Sequence, residues 1–347
     1  MPTRAVVTRT ALAAVLGVSL MLGATPRPVE AWGASGHRMV AIAAMRALPE
    51  DLPAFLRTTE VAAEVGELSR EPDRWKGGGR THARERDTAH FVDFTDDGHV
   101  LTAQGPHISQ LPELRSEYER MLNDAGISVD QAGWLPYALI DGWQQLVRDF
   151  AYWRVLVAAE ARESDPARRA WLTEDRNRRE RLLIRNLGVW SHYVGDASQP
   201  LHLSVHYNGW GDYPNPEGFT QSRQTHGMFE GAYVARNVRL ETIEQAMGPV
   251  RPCGCDIRAR TASYLGEGLA EVIPFYRLER DGGFAEGDAR GIRFATVRLA
   301  AGASELRDLI VAAWHASAEA RVGWPAVSVR DVVEGGVDPF DSLIGTD

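Results

Sequence analysis

Apolar residues in this chain recur at steps of three and four, a period that admits few architectures. Leu135, Leu139, Trp143, Leu146, Val147 and Phe150 repeat this way, as do Leu182, Leu183, Leu187, Trp190 and Val194. Side chains so spaced share one face of an α-helix, whereas a strand needs alternation. Met39, Ile42, Ala43 and Met45 to Leu48 mark another such face, and further helices are expected near residues 110–124, 225–247, 257–281 and 295–320. Strand patterns are scarce. The expected fold is all-α, a single domain of long amphipathic helices whose apolar stripes pack together around a polar centre. No repeat, low-complexity tract or long Pro/Gly-rich linker divides the chain. The expected boundaries are 1–31 for an export signal, 32–330 for the helical domain and 331–347 for a C-terminal tail.

The signal is read from three features. Arg4 and Arg9 give a positive start, Ala11 to Ala24 form an apolar run of 14 residues, and Val29-Glu30-Ala31 suits a signal peptidase. That run is too short to span a bilayer, which takes about 20 apolar residues, and no later stretch approaches that length. The expected protein is exported, periplasmic or extracellular, with no stable membrane anchor. Cleavage after Ala31 makes Trp32 the first residue of the stretch Trp32-Gly-Ala-Ser-Gly-His37. A free α-amine and its own carbonyl chelate a divalent cation in a five-membered ring, and His37 is near enough in sequence to reach the same ion.

Charge narrows the partners. The chain carries −9 overall, or −11 once Arg4, Arg9, Arg27 and Glu30 leave with the signal, so nothing attracts polyanions from a distance. A nucleic acid would be held by local cations, not by a basic face. The arginines of residues 163–185, interleaved with Glu174, Asp175 and Glu180, read as a solvated helix face with ion pairs. Cys253 and Cys255 are the only cysteines and cannot staple a fold; a loop with two thiols or one local disulfide is expected. Asn208 to Arg223 reads as a long loop of the kind that is often functional.

Histidines and carboxylates supply the candidate chemistry. His192 and Asp196 sit four residues apart, as do His226 and Glu230, which places each pair on one helix face. His202 follows in Gln199-Pro-Leu-His202; Asp73 lies in Glu71-Pro-Asp-Arg-Trp-Lys76 and His90 in Thr88-Ala-His-Phe-Val-Asp93. Spacing alone is weak, because ten histidines and 47 acids in 347 residues produce such pairs by chance. His315 with Glu319 is a third pair, with no other ligand candidate near it in sequence, and reads as an ordinary surface or packing pair.

The ordered set Trp32, His37, Asp73, His90, His192, Asp196, His202, His226 and Glu230 resembles the superfamily of zinc-dependent bacterial phospholipase C and the secreted single-strand-specific zinc nucleases of fungi and plants. The resemblance runs over residues 32 to 320 and implies three zinc ions. Asp73, His90, His192 and Asp196 would hold the first, and His202, His226 and Glu230 the second. The amine and carbonyl of Trp32 with His37 would hold the third, with Asp196 as a shared bridge. It further implies phosphodiester hydrolysis by a zinc-activated water that Asp73 orients or deprotonates. Lys76 would stabilise charge on the phosphoryl oxygens, although the nucleases usually carry arginine there. Phe91 and Asp93 match positions at which nucleases stack a base and bond its edge; their plain alternatives are core packing and a structural carboxylate.

The two subfamilies are mixed. The five-residue step from Trp32 to His37 and the 24-residue step from His202 to His226 are nuclease-like. Glu230 and Gly231 depart from the Asp-Asn usual in nucleases, and Glu230 matches phospholipase C. The 102-residue step from His90 to His192 exceeds that of either subfamily, so the rim of the site is expected to be rebuilt. A monomeric, nuclease-like enzyme on single-stranded nucleic acid leads, with phospholipid head groups as the alternative substrate and a non-catalytic exported zinc-binding protein as the third reading.

Overall fold

The computed structural model describes residues 32–251, 254 and 256–345; the expected signal and both cysteines lie outside them. The body is built on three long helices, Leu135–Arg162 of 28 residues, Pro166–Asp196 of 31 and Ala289–Ala316 of 28. The starts of the last two are written locally. Asp165 accepts the Ala167 and Arg168 amides at 2.8 and 2.9 Å ahead of Pro166, and Asp288 accepts the Arg290 amide at 2.8 Å. Both caps satisfy amides that have no partner inside the helix, and proline suits the first helical position.

Leu135–Arg162 and Pro166–Asp196 pack tightly against one another. A Cβ on Gly142 would lie 1.8 Å from Cδ1 of Trp190, so glycine allows that approach, and the Trp190 indole then donates to the Leu139 carbonyl at 3.0 Å. Farther along the same seam Asp149 is fully buried. It accepts from Gln145 at 3.0 Å, Arg179 at 2.8 Å and Asn186 at 2.7 Å. Asp149→Ala would leave these donors facing a hole, with an expected loss of about 3 kcal/mol. The check is a lower urea midpoint at unchanged slope; an unchanged midpoint contradicts this account of the seam.

The helix Ala34–Arg46 sits against Thr59–Leu68, Pro166–Asp196 and Ala289–Ala316. Its buried stripe is His37, Val40, Ala41 and Ala44, steps of three and four that carry His37 into the interior at the end of an otherwise apolar stripe. Among the described residues the strands are Arg321–Val322 and Val327–Ser328, paired antiparallel with Arg321 opposite Ser328. The fold is a single all-helical domain, and no described helix is long and apolar enough to cross a membrane.

Several expected boundaries shift. The C-terminal segment expected as a tail outside the helical domain packs onto the body as far as it is described: Val332 is buried with Ala151 and Val155, and Phe340 meets Trp171 with ring centroids 5.4 Å apart. The helix expected over 257–281 is two, Ile257–Leu269 and Val272–Arg280. The one expected over 225–247 is broken, with a π-helical turn at Met228–Tyr233 and a separate helix Leu240–Ala246. Apolar periodicity does not register a change of helical pitch. The charged stretch is a helix face as expected, with Arg176 paired to Glu180 and Arg178 to Glu174, while Arg176 also reaches Glu160 on the neighbouring helix.

Candidate metal centre

Five segments deliver the candidate ligands. His192 and Asp196 occupy the last turn of Pro166–Asp196, and His202 closes the 3₁₀ turn Pro200–His202 directly after it. His90 closes another 3₁₀ turn, Thr88–His90, and the extended residues beyond it lie along the His202 segment: Val92 N–H donates to His202 O at 2.9 Å and Phe94 N–H to Leu203 O at 3.2 Å. Asp73 belongs to the short helix Glu71–Arg74, and His37 comes from Ala34–Arg46. His226 sits in Thr225–Gly227 and Glu230 in the π-helical turn that follows. Such turns recur at functional sites.

These side chains meet in three groups: His37 with Asp73 and His192; His90 with His192 and Asp196; and His202 with His226 and Glu230. Within each group the ligand atoms lie within 4.8 Å of one another. The first two groups share His192 and form one continuous cluster. His37 Nε2 is 3.3 Å from Asp196 Oδ1, His90 Nδ1 is 3.1 Å from Asp196 Oδ2, and His192 Nε2 is 2.9 Å from His90 Nδ1. Asp196 thus stands between the ring of His37 and those of His90 and His192. The third group is close by, with His202 Nδ1 3.9 Å from Asp196 Oδ1.

Backbone carbonyls fix two of the rings. His192 Nδ1 faces Ser69 O at 2.7 Å and His202 Nδ1 faces His90 O at 2.6 Å. A carbonyl only accepts, so both Nδ1 atoms carry a proton and both Nε2 atoms turn toward the carboxylates, the edge that a metal-binding histidine offers once it is deprotonated there. Gln199 is fully buried; its amide nitrogen is 3.3 Å from Glu230 Oε2 while its oxygen accepts the Leu201 amide at 2.8 Å.

The electrostatics are those of a cation site. Asp196 is held well below the usual carboxylate range: burial opposes this, and His192 and His202 overcome it. Glu230 and Asp73 are also lowered against burial, by His226 and by His192 with Lys76 respectively. Burial, with His192 adding, lowers His37; burial and then Lys76 bring His90 down to about 3. His202 rises to about 9, because Asp196 and Glu230 outweigh its burial. Several inward-facing atoms, His37 Nε2, Asp196 Oδ1, His202 Nε2, His226 Nε2 and Glu230 Oε1, are buried with no hydrogen-bond partner among the described residues. His226 Nε2 stands 2.6 Å from Glu230 Oε2 without hydrogen-bond geometry. Buried polar atoms are rarely left so, and clusters of nitrogen and oxygen donors suit zinc. The residues present could hold metal ions.

The remaining expected site residues surround these clusters. Lys76 Nζ lies 2.7 Å from Asp73 Oδ1. Phe91 is half-buried on the extended segment after His90, and Asp93 is buried with Oδ1 lacking a partner, burial raising its carboxyl well above the usual range. Trp32 is fully buried beside the first cluster, its indole donating to Gly195 O at 2.8 Å. His206 stays outside the clusters, stacked on Trp210 at 3.6 Å with Nδ1 donating to Trp210 O at 2.8 Å. His315 and Glu319 do not pair with each other: His315 meets Asp51 at 3.0 Å, and Glu319 pairs with Arg330. The spacing of the ligands gave no sign of Ser69, which acts through its carbonyl, whereas Gln199 had a signal in its place three residues before His202. No family model, curated protein or solved structure matches the chain.

Proposed function

We propose that the chain is an exported zinc-dependent phosphodiesterase that cleaves single-stranded nucleic acid by hydrolysis. The observation that carries this is the convergence of eight positions from distant parts of the sequence, His37, Asp73, His90, His192, Asp196, His202, His226 and Glu230, into adjoining buried clusters with their donor atoms facing inward. When bound, zinc supplies Lewis acidity and lowers the pKa of water. Asp73 orients the attacking water and accepts its proton, and Lys76 beside it balances charge on the phosphoryl oxygens. Phe91, half-exposed three residues ahead of the Phe94 pairing to the His202 segment, offers a face for a base, and the Asp93 carboxyl an edge contact. Phospholipase C activity is the second reading, favoured by the resemblance at Glu230, where the nucleases usually carry Asp.

The deciding experiment is hydrolysis by the purified exported protein of single-stranded DNA, RNA and phosphatidylcholine, with zinc stripped by chelation and restored. The proposal expects zinc-dependent cleavage of nucleic acid. Cleavage of the lipid alone moves the assignment to the second reading. Zinc binding with no hydrolysis of any of the three leaves a non-catalytic zinc-binding protein. Processing is tested separately: intact mass should begin at Trp32, and one extra residue ahead of it should lower the zinc count by blocking the amine. A different start, or an unchanged count, contradicts the role given to that amine.

A further inference from the structure

We infer that the Trp32 side chain is a positioning residue that ties together the two segments bearing Asp196 and Glu230. The inference rests on the metal-binding reading above but concerns a side chain that is itself no ligand in that reading. On one side the indole Nε1 donates to Gly195 O at 2.8 Å and lies 2.9 Å from Ser198 Oγ, while the Ser198 hydroxyl donates to the same carbonyl at 2.7 Å. Arg298, reaching from Ala289–Ala316, donates to Ser198 O at 3.0 Å. Asp196 therefore lies between two residues, Gly195 and Ser198, that are pinned to position 32.

The other side of the same residue meets the Glu230 turn. The Trp32 ring lies against Phe229 with centroids 5.5 Å apart, and Gly33 N–H donates to Glu230 O at 3.2 Å. A Cβ on Gly33 would come within 3.2 Å of both Glu230 O and Gly231 Cα, so the contact is close. The Asp196 and Glu230 segments are thus bridged through residues 32 and 33. Both carry buried carboxylates that face His202, Asp196 Oδ1 at 3.9 Å and Glu230 Oε2 at 3.4 Å, and an anchor between their backbones bears on how the two are spaced. An indole that served only to fill space would need neither hydrogen bond nor contact with both segments.

Cobalt(II) titration of the exported protein, followed by visible absorption with the melting temperature measured in parallel, tests this. Trp32→Phe keeps an aromatic ring and any α-amine but loses the N–H; Ser198→Ala removes a single hydroxyl. The expected result for Trp32→Phe is cobalt affinity about 10- to 100-fold weaker, the range seen for groups that orient metal ligands, with an altered spectrum. Ser198→Ala should shift the same way by less. Trp153→Phe, which loses an indole bond to Glu180 away from the site, should lower the melting temperature alone. Cobalt affinity within twofold of the parent in both site variants, with only stability reduced, overturns the inference; if Trp32→Phe does not fold, Ser198→Ala decides. A parent protein that binds no cobalt overturns the metal-binding reading itself.

Discussion

Asp196→Asn is expected to strip the centre of most of its zinc and to lower hydrolysis by at least about 100- to 1,000-fold, the scale on which a fixed electrostatic group contributes. Its carboxylate faces His37 on one oxygen and His90 with His192 on the other. The amide has the same shape, but it carries no charge and presents N–H groups where lone pairs are needed. The chain should still fold, since the helix and the Gly195 carbonyl bonds are untouched, so elemental analysis of a folded variant is the measurement. His315→Ala, at an exposed pair with Asp51, should leave zinc and turnover unchanged. Equal losses from both variants would contradict the placement of the site.

Asp73→Asn separates binding from chemistry. Asp73 is the most exposed of the candidate side-chain ligands, at 15% against 0–5% for the others, and it touches Lys76. That position suits a group that reaches substrate-side water. Turnover of bis(p-nitrophenyl) phosphate should fall by about 100- to 10,000-fold, while the remaining donors retain most of the zinc. Turnover within a factor of about three of the parent would make Asp73 a structural residue. Simultaneous loss of zinc and activity would make it a ligand first.

Helix class and the two His–carboxylate pairs at helical spacing were legible in the sequence because each has a local signature. Steps of three and four marked the long helices, and His192 with Asp196 on one turn is a consequence of helical geometry alone. The choice of His202 over His206 rested on the resemblance, and the structure places His202 in a cluster and His206 against Trp210. What stayed hidden was non-local. The pitch change at Met228–Tyr233 leaves the apolar pattern intact, and the Ser69 carbonyl that orients His192 is independent of side-chain type. The packing of Val332 and Phe340 against residues far earlier in the chain could not be read from a short C-terminal stretch. The merging of His37 and Asp73 with His192 into one group depends on how three helices meet, which spacing does not encode.

Anomalous diffraction at the zinc absorption edge from crystals of the chain prepared to begin at Trp32 tests the central claim most directly. The account predicts three zinc peaks: one within about 2.0–2.2 Å of donor atoms of Asp73, His90, His192 and Asp196, one at His202, His226 and Glu230, and one at His37, Asp196 and the amine and carbonyl of Trp32. Peaks confined to surface histidines such as His315, or clusters that hold no zinc when it is supplied in excess, would contradict it.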